Sequence, residues 1–218
     1  MTAAGRRKRA WTSSRGTELH AEWSVDIGPE APALEIPWRS EDGSVRFFDL
    51  KKQPELLLEI PETFEYYEIS DFLSHVNAKS EMATAKCDLW LTNEMDVEDE
   101  EWGEPIKCVS YVDLFFDRKP ERMDFGAHER LADLIVGKFA RLPEMPAKLE
   151  IVIRQCHFHR NGESGMSDAG YSFTMYVTGY GDEEGKAHVH WAIALQLLRY
   201  ALIQFVHLPG RAALHPDE

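Results

Sequence analysis

Residues 149–160 read Leu-Glu-Ile-Val-Ile-Arg-Gln-Cys-His-Phe-His-Arg, and residues 171–180 read Tyr-Ser-Phe-Thr-Met-Tyr-Val-Thr-Gly-Tyr. The first stretch is rich in β-branched and aromatic residues, the composition of a long strand. The second alternates apolar and polar residues with period two, as a half-buried strand does. Between them Asn161 and Gly162 open a polar, glycine-rich turn region that runs to Gly170. After a Gly/Asp/Glu break, Val189 to Phe205 reads as a helix with apolar residues over most of its circumference. The order is strand, strand, helix.

The same order stands upstream. Cys87–Thr92 and Cys108–Phe116 read as strands. Asp124 is placed to cap a helix through Leu142, with Leu131, Leu134, Ile135, Phe139 and Leu142 on one face, and Pro143 and Pro146 end it. No residue-level identity links the two units. Strands paired as hairpins, each pair followed by a helix, lead to an antiparallel sheet with helices on one face.

The N-terminal third adds strands to this core. From Glu18 to Asp26 the alternation puts Leu19, Ala21, Trp23 and Val25 on one face and Glu18, His20, Glu22, Ser24 and Asp26 on the other. Trp23 is therefore expected inside and Glu22 outside. Leu34–Trp38 and Val45–Leu50 read as a short hairpin across the turn-forming residues Ser40 to Gly43. Glu65 to Asn77 reads as a helix with Tyr66, Ile69, Phe72, Leu73 and Val76 on its apolar face. The fold class expected is α+β: an antiparallel sheet built from two strand-strand-helix units, helices on one face, and additional N-terminal strands. The expected domain organisation is a flexible basic arm over residues 1–16, a single α+β domain over 17–208 and a C-terminal tail over 209–218. A split into two domains near residue 80 is the alternative, and no long linker supports it.

Composition and charge narrow the function classes. The chain has 218 residues and a formal net charge of −14. Arg6, Arg7, Lys8, Arg9 and Arg15 all lie in the arm, and removing these five from 24 cations leaves 19 against 38 acids in the rest. So acidic a body repels nucleic acid and anionic membrane surfaces and suits solubility or a basic protein partner. No apolar run approaches the ~20 residues of a membrane span. No apolar segment follows the basic N-terminus, so no secretory leader is expected. Cys87, Cys108 and Cys156 form no Cys-x-x-Cys pair, which argues against a disulfide scaffold or a cysteine-cage zinc site. The expected setting is the cytoplasm. The sequence sets no oligomeric state.

Few residues carry a chemical pattern. His157 and His159 are two apart on a strand and share a face, half of a metal site. Gln155 shares that face. Asp113 lies mid-strand on one parity with Tyr111 and Asp117, and could line a cleft or a wet sheet face. His188 and His190, on a helix, point about 200° apart and cannot serve one metal there. Cys156 alternates with Val152 and Phe158 as a small buried residue, and Arg154 shares that parity and needs a partner or a strand end. The acidic link from Glu94 to Glu104 lacks the order of an EF-hand loop and reads as a solvated connection rather than a calcium site. No Gly-x-Ser-x-Gly, Walker A, Gly-x-Gly-x-x-Gly or His-Glu-x-x-His occurs.

Two functions from different classes follow. The first is a non-enzymatic protein-binding module of inhibitor or immunity type, acting on a basic partner and needing no cofactor. The alternative is a metal-assisted enzyme that holds a divalent metal with His157 and His159 and uses a carboxylate such as Asp113. The two are separated by whether those side chains meet.

Overall fold

A computed structural model of the chain describes residues 8–10, 19–44, 46–96, 99–142, 145–159 and 167–205. The rest of the arm, the turn region at 160–166 and the expected tail at 209–218 lie outside the described residues. Among the described residues seven strands form one sheet. They are β1 (Lys8–Ala10), β2 (His20–Asp26), β3 (Leu34–Ile36), β4 (Met82–Thr92), β5 (Ile106–Phe116), β6 (Ala147–His159) and β7 (Ser167–Gly181). Five α-helices accompany them: α1 (Glu62–Glu65), α2 (Tyr67–Lys79), α3 (Lys119–Met123), α4 (Phe125–Phe139) and α5 (Glu184–Phe205). The strand order is β1-β2-β6-β7-β5-β4, and β3 pairs with β6 beyond the end of β2.

The expected antiparallel α+β sheet is corrected here, because the sheet is mixed. Ala21, Trp23 and Val25 of β2 run parallel to Leu149, Ile151 and Ile153 of β6, and Leu34–Ile36 runs parallel to Cys156–Phe158. The pairs β1–β2, β6–β7, β7–β5 and β5–β4 are antiparallel. Alternation fixes which side chains face the core and leaves strand direction open, since a period-two pattern reads alike both ways. The crossover that a parallel pair needs is the whole middle of the chain. The expected 34–50 hairpin also gives way. Of its ladder the described residues show the Arg39–Arg46 bridge and the Phe47 N–H bond to the Trp38 carbonyl at 2.9 Å, and Leu34–Ile36 joins β6 instead.

Packing divides the sheet into two unlike faces. Leu149, Ile151, Ile153, Phe173, Met175 and Val177 point to one face and pack with α2, α4 and α5 as the main core. Trp23 joins them at 5% exposure, its indole N–H donating to the Asp133 carboxylate of α4 at 2.9 Å, while Glu22 is half-buried. His128 of α4 is wholly buried in the same core, and its Nδ1 meets the Asp124 carbonyl at 2.9 Å. Burial pulls its pKa down, so the ring is held neutral. α5 lies directly on β7 at Gly179, where a Cβ atom would stand 2.1 Å from the Trp191 backbone nitrogen and 2.4 Å from the Ala187 carbonyl oxygen. The other face is covered at one end only by a small apolar cluster of Ile36, Ala83, Ala85, Phe115, Cys156 and Phe158 under Trp38 and Phe47. At the opposite end Trp102 stacks on Tyr180, with ring centroids 4.6 Å apart. Polar residues occupy the middle.

Candidate functional site

The residues singled out in the sequence do not converge. Asp113 pairs across the sheet with Thr174, and Thr174 with Val152. Asp113 therefore shares a face with Val152 and Arg154, whereas His157 and His159 have the opposite parity and lie on the helix side, at the far end of β6. His159 Nε2 meets the Glu35 carboxylate, and His157 is half-buried. The His/carboxylate cluster of the enzyme reading is thus not assembled. Among the described residues no three His, Cys, Asp or Glu side chains form a group that could hold a metal ion. The second histidine pair also separates: His190 Nδ1 meets the Tyr180 carbonyl at 2.6 Å, and His188 Nε2 lies 3.3 Å from Glu68. Cys108 and Cys156 are buried and Cys87 half-buried; burial pushes the thiols of Cys87 and Cys108 up to about 12, so none is poised as a thiolate.

The acidic link is partly folded in rather than simply solvated. Lys107 Nζ meets Asp99 and lies 3.4 Å from Asp96, and the Tyr180 hydroxyl donates to Asp99 at 2.6 Å. Burial works against the Asp99 charge, and the bonds from Lys107 and Tyr180 outweigh it, so its pKa falls. A carboxylate engaged in this way is a structural anchor for the link.

The helical layer carries the most unusual surface. Val189, Ile193 and Tyr200 on α5 are spaced to share one stripe and are 51%, 41% and 49% exposed. Across from them Tyr67, which opens α2, is 76% exposed, and Phe64 on α1 is 72% exposed. Between α2 and α5 lies a groove of about 460 Å³, lined by Tyr67, Phe72, Val189, Ala192, Ile193 and Leu195 among others. Tyr67, Val189 and Ile193 meet at this groove, unlike the isolated exposed leucines common on any protein.

Glu68 and Asp71 also line the groove, and His188, another lining residue, places Nε2 3.3 Å from Glu68. The one arginine in the groove, Arg199, is 7% exposed and paired with Asp71, so its charge is already answered.

Comparison with protein-family models, with curated proteins and with solved structures finds no match for this chain. Among the described residues no helix is long and apolar enough to cross a membrane. One signal of the groove is present in the sequence. A helix apolar around most of its circumference has more apolar surface than one sheet can cover, and α5 leaves a stripe of it outside.

Proposed function

We propose that the protein is a non-enzymatic binding module that takes a basic, amphipathic protein segment in the groove between α2 and α5. Exposed Val189 and Ile193 facing exposed Tyr67 across a groove that Glu68 and Asp71 also line carry this reading. A helix with apolar anchors at i, i+3, i+4 and i+7 matches the stripe, and Lys or Arg on its flanks suits the two acids. The overall acidity adds steering toward such a partner.

The test uses a synthetic peptide of Leu at those four positions with Lys elsewhere, and a control with Glu for every Lys. The expected result is a Kd on the order of 10 μM for the basic peptide at low salt, weakening steadily as salt rises, with no binding of the acidic one. Ile193→Glu or Tyr67→Glu should weaken binding at least about tenfold, the ~1.4 kcal/mol of one good anchor. Equal binding of both peptides, or full binding by both variants, would sink the proposal.

A further inference from the structure

The sheet face away from α5 carries a hollow whose shape follows from its side chains, and it does not depend on the groove. Trp90, Val109, Thr178 and Lys148 stand in one row across β4, β5, β7 and β6. The middle two are small, while the rows on either side pair Lys107 with Tyr180 and Tyr111 with Tyr176. Small residues between large ones leave a depression of about 570 Å³, in the size range of small-molecule sites. Val109 and Thr178 lie at its middle, with Trp90 to one side and Lys148 to the other. Tyr176 and Glu150 border one end, and Lys107 with Asp96 and Asp99 of the anchored link border the other.

The charges in this hollow are fixed and already paired. Lys107 Nζ meets Asp99 and lies 3.4 Å from Asp96, and Lys148 Nζ lies 3.2 Å from Glu150. Three carboxylates stand against two ammoniums, so an anion gains nothing here. A cation would have to displace an ammonium already in place. Pairing still leaves these groups capacity, because an ammonium has three donors and a carboxylate two oxygens with several acceptor positions. Two further groups are not engaged. Among the described residues the Thr178 hydroxyl and the Trp90 indole N–H make no side-chain hydrogen bond, and Thr178 is only 7% exposed. A buried hydroxyl without a partner costs free energy that a bound polar group would recover. The Trp90 ring, 39% exposed, adds an apolar surface to a hollow that is otherwise mostly polar.

We propose that the hollow binds a neutral saccharide, with an apolar ring face against Trp90 and its hydroxyls bonded to Thr178 and to the Lys148–Glu150 and Lys107–Asp96 pairs. Each sugar hydroxyl both donates and accepts, so it uses donors and acceptors set side by side, as these ion pairs set them. The C–H face of a sugar ring is apolar and packs on an aromatic side chain, whose indole N–H serves a hydroxyl at the edge. A wholly apolar ligand would strip water from the ion pairs and return no hydrogen bond.

The test is a titration of the full chain with cellobiose, maltose and lactose, followed by proton–nitrogen NMR that includes the indole N–H signals. Sodium lactobionate is the anionic control and putrescine the cationic one. The expected result is a saturable shift of the Trp90 indole N–H and of the Val109 and Thr178 amides by at least one disaccharide, with a Kd on the order of 1 mM. Both controls should bind at least about tenfold more weakly than the best sugar. Trp90→Ala should abolish the saturable shifts at Val109 and Thr178. Thr178→Val keeps the shape, removes the hydroxyl and should weaken binding roughly fivefold. No saturable shift by any of the three sugars, shifts confined to other residues, a control that binds as tightly as the best sugar, or unchanged binding by either variant would overturn the proposal. The shift map of the unaltered protein decides the matter even where a variant fails to fold.

Discussion

On β6, Leu149, Ile151 and Ile153 are wholly buried beneath helices, while Lys148, Glu150, Val152 and Arg154, their neighbours in the chain, stay half-exposed. The same contrast crosses the sheet: Phe173, Met175 and Val177 on one side of β7, Thr174, Tyr176 and Thr178 on the other. The helix side is close-packed, so changes there should act on stability. The open side is polar and holds Asp113, whose burial Arg154 and Lys86 only partly offset, so changes there should act on pH dependence. The comparison shows where to look for function in a chain without catalytic motifs: on surfaces the core did not need.

The comparison breaks most severely at Gly179. Gly179→Ala puts a methyl group where the α5 backbone already lies, and neither the Trp191 nitrogen nor the Ala187 carbonyl can swing aside as a side chain would. The expected loss is at least about 4 kcal/mol by chemical denaturation, or failure to fold. A loss under about 1 kcal/mol would mean that the helix does not rest on the strand.

Trp23→Ala tests the same side at the sheet's parallel edge. It removes a buried indole and its bond to Asp133, and should cost about 3–5 kcal/mol in urea unfolding. A neutral result would place β2 outside the core.

Asp113→Asn probes the open side and should have the opposite sign. Burial raises the Asp113 pKa, and the Thr174 bond, Arg154 and Lys86 recover only part of the shift. The folded state then holds its proton to higher pH than the unfolded chain does. Stability from this group is complete below the ordinary carboxylate range and falls as pH climbs through the raised value. Asparagine keeps the size and the Thr174 bond without the charge. It should add about 1 kcal/mol at pH 7, on the scale of a poorly compensated buried polar group, and the gain should vanish toward pH 4. A variant less stable than the parent at pH 7 would mean that the cations favour the Asp113 charge more than burial opposes it.

His157→Gln combined with His159→Gln gives the smallest effect. These rings are on the helix side but beyond the helices, and His159 pairs only with the exposed Glu35. The double change should stay within about 0.5 kcal/mol of the parent by thermal unfolding. A larger loss would show that the end of β6 is packed after all.

Much of the helix side was legible in the sequence because alternation reports burial. Leu19, Ala21 and Trp23 point inward as their spacing requires, and Ile69, Phe72, Leu73 and Val76 form the buried face of α2. Direction was not legible, since Ala-x-Trp-x-Val reads as a strand running either way, and this hid the parallel pairing with β6. The candidate sites were legible only in part. Asp113 drew notice as a mid-strand acid, but Lys86 and Arg154 act on it from two other strands, and no spacing along one chain encodes that meeting. The groove between α2 and α5 was legible in part: helical spacing puts Tyr66 inward, where it meets Trp191, and leaves Tyr67 outside.

The parallel pairing of β2 with β6 also bears on the order of assembly. β2 is synthesised among the first residues, yet the strand it pairs with follows α4 and is among the last elements made. At about 5–20 residues per second, β2 waits several seconds or more on the ribosome before its partner exists. During that wait Leu19, Ala21, Trp23 and Val25 form an apolar edge with no surface to cover them, which is the kind of segment that chaperones hold and that aggregates recruit. The later hairpin pairs close short loops and form without it, whereas docking β2 closes most of the chain and carries the largest loop entropy. A strand made near the start of the chain is thus among the last placed in the sheet, and the yield of folded protein depends on keeping it from wrong partners until then.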